Sequence, residues 1–116
     1  MKIGDLVNQT FTKVYRSDDE IIFERTNNKG KRVGYKLYHE QDCCESVYIE
    51  SIVGSLSDLE NSPILLASEE SNSDNTEDGS ETWTFYKFAT IKGYVDIRFY
   101  GESNGYYSES VDIVKI

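Results

Sequence analysis

The chain has one proline, one histidine and two cysteines in 116 residues, and each scarcity closes off a class of function. A lone histidine, His39, cannot build a histidine-based metal centre, which needs several ligands converging on one ion. The cysteines, Cys43 and Cys44, are adjacent. A disulfide between neighbours is strained, and no second pair is present to complete a metal site. Two free thiols in a reduced, cytosolic protein are the expectation, and the Asn8-Gln9-Thr10 sequon then has no meaning.

Basic residues are also scarce. Twelve Lys and Arg face 21 Asp and Glu, a formal net charge of −9. Polymeric nucleic acid is excluded as a partner, because phosphate-backbone binding depends on clustered cations that release counterions. An anionic membrane surface is excluded for the same reason. A small anionic ligand is not, since a few local cations can dominate one pocket. No stretch approaches the roughly twenty apolar residues of a membrane span. The N-terminal Met-Lys-Ile-Gly-Asp lacks the apolar core of a signal peptide.

What is present is the composition of one globular domain, residues 1–116, with 38% hydrophobic and 13% aromatic residues. Apolar positions mostly alternate, the signature of strands, and no internal repeat or heptad occurs. The segments 10–16, 20–26 and 32–39 predict an antiparallel meander turning at Ser17-Asp-Asp19 and Asn27-Asn-Lys-Gly30. Residues 47–53 form a further strand. Gly54 to Glu60 predicts one helical turn capped by Ser55 or Ser57, and Ile3 to Asn8 a second. The run Glu69 to Glu81 holds six acids and no base, leaving 15 acids against 12 bases elsewhere. It reads as a solvated, mobile loop. Segments 82–91, 94–100 and 106–114 complete the strands, the first two joined by a tight hairpin at Lys92-Gly93. The fold class is mainly β, or β-rich α+β, with antiparallel sheets and one or two short helices.

Nine of the fifteen aromatic residues fall between Trp83 and Tyr107, with Arg98 among them. Alternation assigns Val95, Ile97 and Phe99 to the core and Tyr94, Asp96, Arg98 and Tyr100 to the opposite face. That second face is too polar for a core and too aromatic for a casual surface, so it reads as an interface or a ligand wall. Aromatic faces stack planar rings and a guanidinium clamps phosphate. Arg98 reads equally as a structural partner of Asp96 or another acid. Asn104 precedes Gly105 in a favoured turn dipeptide, and Tyr106 and Tyr107 straddle the two faces of the next strand. Arg16, Arg25 and Arg32 read as solvated strand edges or turns.

Catalysis is poorly supported, and no catalytic residue is assigned. A nucleophile pair of Cys43 or Cys44 with His39 lacks a group to orient the imidazole. The acidic stretch Asp74 to Gly79 resembles a calcium loop in outline, but its twelfth position is Phe85 and not a bidentate glutamate. Gly101 and Gly105 precede no helix and make no phosphate loop.

The segments His39 to Glu45, Ser62 to Ala67, Thr82 to Thr90 and Arg98 to Glu109 are similar to a small family found in phages and prophages. The likeness runs from about Tyr35 to Ile113. On these motifs the chain resembles the first type of Thoeris anti-defence protein, a family of viral signal sponges. The resemblance implies a non-catalytic, cofactor-free and metal-free protein of the infected bacterial cytoplasm. It implies binding of a cyclic ADP-ribose isomer made by a bacterial TIR-domain enzyme, assembly into dimers or hexamers, and for some members cyclic di- or trinucleotides at a separate site. Motif membership and chemistry together assign Arg98 to phosphate, Phe85, Tyr100 and Tyr106 to base stacking, and Asn104 to the base edge. His39 and Asp42 are assigned to ribose hydroxyls, and a second arginine, Arg25 or Arg16, reaches in from a neighbouring subunit. A closed, dry pocket would hold such a ligand without turnover. The competing reading from the net charge and acidic run is a protein–protein interaction module, an acidic decoy that blocks a host factor.

Overall fold

The computed structural model describes residues 1–116 as two four-stranded antiparallel sheets that share one core. Three consecutive hairpin strands, β1 (Lys13–Ser17), β2 (Glu20–Thr26) and β3 (Arg32–Tyr38), form the expected meander. The chain then crosses to the second sheet through β4 (Ser46–Val53), β5 (Leu66–Thr76), β6 (Gly79–Thr90) and β7 (Gly93–Ser103). It returns as β8 (Asp112–Lys115), which pairs with β3. Sheet 1 has the order β1-β2-β3-β8, and sheet 2 the order β4-β7-β6-β5. Two short 3-10 turns, Ile3–Leu6 and Leu56–Leu59, are the helical content. The fold is β-rich, as the alternation predicts.

The core follows from that alternation. In β7, Val95, Ile97 and Phe99 are buried, while Tyr94, Asp96, Arg98 and Tyr100 face outward. From sheet 1, Val14, Ile21, Phe23, Tyr35 and Leu37 meet Ile49, Tyr86, Phe88 and the β7 residues of sheet 2 in one cluster. Phe23 and Phe88 span the two sheets, with ring centroids 5.2 Å apart in an edge-on arrangement. Burying each such ring contributes about 1.5–3 kcal/mol.

Four expectations are corrected. The acidic run 69–81 is not a loop: most of it lies in the hairpin of β5 and β6, paired from Leu66↔Ala89 to Thr76↔Gly79. Its polar residues occupy both faces of a strand at the edge of sheet 2, so no hydrophobic period marks it, and pairing with the aromatic β6 orders it. The first strand begins at Lys13, because Thr10 and Phe11 bridge instead to Pro63 and Glu60. The last strand is confined to 112–115, and Tyr106 stands in the preceding irregular segment, 90% exposed. Cys43 and Cys44 are joined as a disulfide in place of two free thiols.

Candidate functional site

Hairpin pairing builds the outer face of sheet 2 row by row. Residues opposite one another in an antiparallel pair point to the same side. Register therefore sets Phe85 of β6 beside Arg98 of β7 and Ser51 of β4, and Trp83 beside Tyr100 and Tyr48. The rings touch. Trp83 stacks on Phe85 with centroids 6.5 Å apart and planes inclined by 17°, and lies 4.6 Å from Tyr100. Tyr48 meets Tyr100 edge-on at 5.8 Å.

Arg98 sits in this aromatic wall. Its guanidinium carbon is 5.3 Å from the Trp83 ring centroid, a cation–π contact. Its Nε donates to Glu50 Oε2 at 2.5 Å. The side chains of this ion pair remain 43% and 33% exposed, so the pair is accessible from solvent. Arg98, Phe85, Lys87, Ser51 and Ser68 line a concavity of about 770 Å³, which Glu70 and Asp96 also face. That volume falls within the roughly 300–1,000 Å³ of small-molecule sites. The concavity is open on a single chain, in contrast to the closed pocket expected from sequence.

Tyr100 closes one side of the wall through its hydroxyl, which donates to Glu81 at 2.9 Å and lies 3.3 Å from the Glu102 carboxylate. The bond to the Glu81 carboxylate is the chief reason the phenol is pushed up to about 12, with burial next. Tyr100 is therefore a fixed, neutral ring near neutral pH.

The other residues singled out from sequence are dispersed. Asn104 and Tyr106 lie in the turn after β7, where Asn104 Oδ1 accepts the Tyr106 N–H at 3.0 Å. Arg16 and Arg25 belong to sheet 1. Arg16 donates through Nε to the Asp18 carbonyl at 2.7 Å and pairs with Asp19, whereas Arg25 borders a groove with Val33, Tyr35 and Lys115.

His39 and Asp42 belong to the β3–β4 loop, which is organised around buried Glu45. That carboxylate accepts the N–H groups of Asp42 at 3.0 Å and Cys43 at 2.9 Å, the Gln41 amide at 3.0 Å, and His39 Nε2 at 2.8 Å. Burial alone would raise the Glu45 pKa. The Cys43 and Asp42 N–H groups, with His39, outweigh it and hold the carboxyl at about 2. His39 Nδ1 meets the Ser110 carbonyl at 2.7 Å. The two ring nitrogens contact the Glu45 carboxylate on one side and the Ser110 carbonyl on the other. His39 is thus buried and committed to holding two loops together.

A chemical inventory of the outer face is short: one guanidinium, one lysine, five aromatic rings with Tyr94 counted, and several carboxylates. It holds no nucleophile–base pair, and its parts suit the binding of a planar, anionic molecule. The family described as Domain of unknown function (DUF7448) matches residues 4–113, nearly the whole chain. The protein belongs to the DUF7448 family. No curated protein and no solved structure matches it.

Within this DUF7448 chain, the sequence reading found Arg98, Phe85 and Tyr100, which the structure does bring together. It missed Trp83, Tyr48 and Glu50 as members of the same face. Trp83 was within reach, since it shares the outward alternation of Phe85 two residues on. Tyr48 and Glu50 were not, because their strand joins Arg98 only through long-range register.

Proposed function

We propose that the protein is a non-catalytic, phage-encoded sponge that binds a cyclic nucleotide immune signal, of the cyclic ADP-ribose type, on the outer face of sheet 2. The observation that carries this reading is Arg98 held against Trp83 and beside Phe85, where the aromatic wall adjoins an open concavity that Arg98 and Phe85 line. The rings stack the base, and the guanidinium takes the pyrophosphate bidentately. The resemblance to Thoeris anti-defence proteins supplies the ligand class, the cytoplasm of an infected bacterium as the setting, and a dimeric or hexameric assembly. A second copy seated over the open concavity would exclude water from it.

Calorimetry against glycocyclic ADP-ribose tests the proposal, followed by mass spectrometry of what heating releases. Tight binding with intact ligand recovered is the expected result. Arg98→Ala should weaken it at least tenfold, in line with the ~1.5–3 kcal/mol of a hydrogen bond to a charged group. No heat from a folded sample overturns the proposal, and a chemically altered ligand would replace it with an enzyme.

One observation favours a second reading, an acidic decoy for a host protein. The eleven-residue β5 is ordered, forms an edge of sheet 2 and exposes Glu69, Glu70 and Asp74. Neutralising Asp74, Glu77 and Asp78 together to the amides, all of them outside the concavity, should then abolish inhibition, whereas a sponge should keep it.

A further inference from the structure

Glu50 reaches Arg98 through a break in strand register. Along β4, Ile49 pairs with Phe99 and Ser51 with Arg98, leaving Glu50 as the extra residue of a β-bulge. Bulges re-aim side chains and concentrate beside functional sites. This one is anchored from the other sheet, because Asp19 in the β1–β2 turn accepts the Ile49 N–H at 3.1 Å. Glu50 is thereby delivered to the outer face, where its carboxylate bonds Arg98 Nε at 2.5 Å. No other protein acceptor bonds the guanidinium, so its two terminal nitrogens remain available to a ligand.

A structural ion pair is normally either buried and fully hydrogen-bonded or loose at the surface. This pair is neither: it is partly exposed, and its arginine lines the concavity. We propose that Glu50 is an internal counter-anion that holds Arg98 against Trp83 without ligand and yields when a phosphate binds, selecting multiply charged anions over singly charged ones. This rests on the reading of the face as a nucleotide site. The selection follows from charge exchange. A monoanion replacing Glu50 trades one carboxylate contact for an equivalent one and gains little. A pyrophosphate brings more than one charge and two oxygens spaced for the guanidinium fork, so it can displace Glu50 with a net gain.

The test uses the whole chain with inorganic pyrophosphate and dimethyl phosphate as probes. Binding is read from the fluorescence of Trp83, the single tryptophan. Wild type should prefer pyrophosphate to dimethyl phosphate. Glu50→Gln keeps the side-chain shape and removes the charge, and should tighten pyrophosphate roughly fivefold to tenfold, the range between exposed and charge-assisted pairs. The preference over dimethyl phosphate should narrow at the same time. In Glu50→Gln/Arg98→Gln the gain should disappear, which ties it to the guanidinium. Circular dichroism checks the fold, and Glu50→Ala replaces Glu50→Gln if that variant is unfolded. Unchanged or weaker pyrophosphate binding in a folded Glu50 variant overturns the inference. If glycocyclic ADP-ribose still binds wild type and loses affinity in Arg98→Ala, the binding site stands and only the role of Glu50 falls. If none of the three ligands binds any variant, both fall together.

Discussion

Tyr86 carries the one buried side-chain polar atom without a hydrogen-bond partner, its hydroxyl, on a ring that is 1% exposed. The ring itself is well packed, stacked on Phe88 at 6.1 Å and edge-on to Phe99 at 5.9 Å. Burial is the chief reason the phenol is pushed up, and the Glu69 carboxylate adds to it, both as a charge and as an acceptor placed too poorly for a regular hydrogen bond. Packing and polarity therefore pull in opposite directions at one residue. An unmatched buried hydroxyl costs about 1–3 kcal/mol, more than a ring of the same size without it. Tyr86→Phe keeps the ring and deletes the conflict, so stability should rise by about 1 kcal/mol, read as a higher urea midpoint at unchanged slope. A lower midpoint would show that the hydroxyl is paired in solution. Glu50 poses the same kind of question from the opposite side, as a charge whose partner is present but shared with a ligand.

At the scale of elements, two connections are held by buried carboxylates instead of apolar contacts. Glu45 gathers the β3–β4 loop. Glu109 fixes the segment before β8 to the hairpin, accepting from Ser80 at 2.6 Å, Thr82 at 2.7 Å and Ser103. Burial alone would raise the Glu109 carboxyl, and the Ser103, Ser80 and Thr82 hydroxyls outweigh it and hold it below its ordinary value. Both groups have lower pKa values folded than unfolded, so their stabilisation is complete above the unfolded value of about 4.3. It is lost as pH falls from there toward about 2, the folded value for Glu45. Urea midpoints should therefore drop steeply between pH 5 and pH 2, and Glu45→Gln should flatten that slope while lowering stability at pH 7. An unchanged slope in Glu45→Gln would remove this carboxylate from the account. Neither clasp was legible in the sequence: the partners of Glu45 lie two to six positions away but carry no motif, and those of Glu109 are far off in the chain. Glu109 meets Ser80 and Thr82 from 29 and 27 positions away. The strands were legible where one face is apolar, as in β2 and β7. The acidic β5 was not, since its order comes from β6 across the pair. The same contrast applies to the site: alternation within β7 picked out Arg98 and Tyr100, whereas Tyr48 and Glu50 arrive by register and a bulge.

The whole molecule measures 49 × 28 × 22 Å and carries a formal charge of −9, yet its proposed ligand is an anion. Range reconciles the two. At about 10 mM salt the Debye length is roughly 30 Å, comparable with the molecule, so an approaching anion meets the repulsion of the whole charge distribution. At about 0.15 M it is near 8 Å, and the ligand meets only Arg98, Lys87 and the carboxylates nearest them. Attraction at the site is short-ranged and repulsion is long-ranged, so salt should weaken the repulsion first. The association rate constant for glycocyclic ADP-ribose should therefore rise about two- to threefold between 10 mM and 150 mM salt, the reverse of an electrostatically steered encounter. Stopped-flow fluorescence of Trp83 measures it. Amide substitutions at Asp74 and Glu77 on the hairpin, outside the concavity, should raise the low-salt rate and shrink the salt effect without changing the dissociation rate. A rate that falls with salt would mean that attraction reaches beyond the site, and that the acidic hairpin lies too far from the ligand's path to oppose its entry.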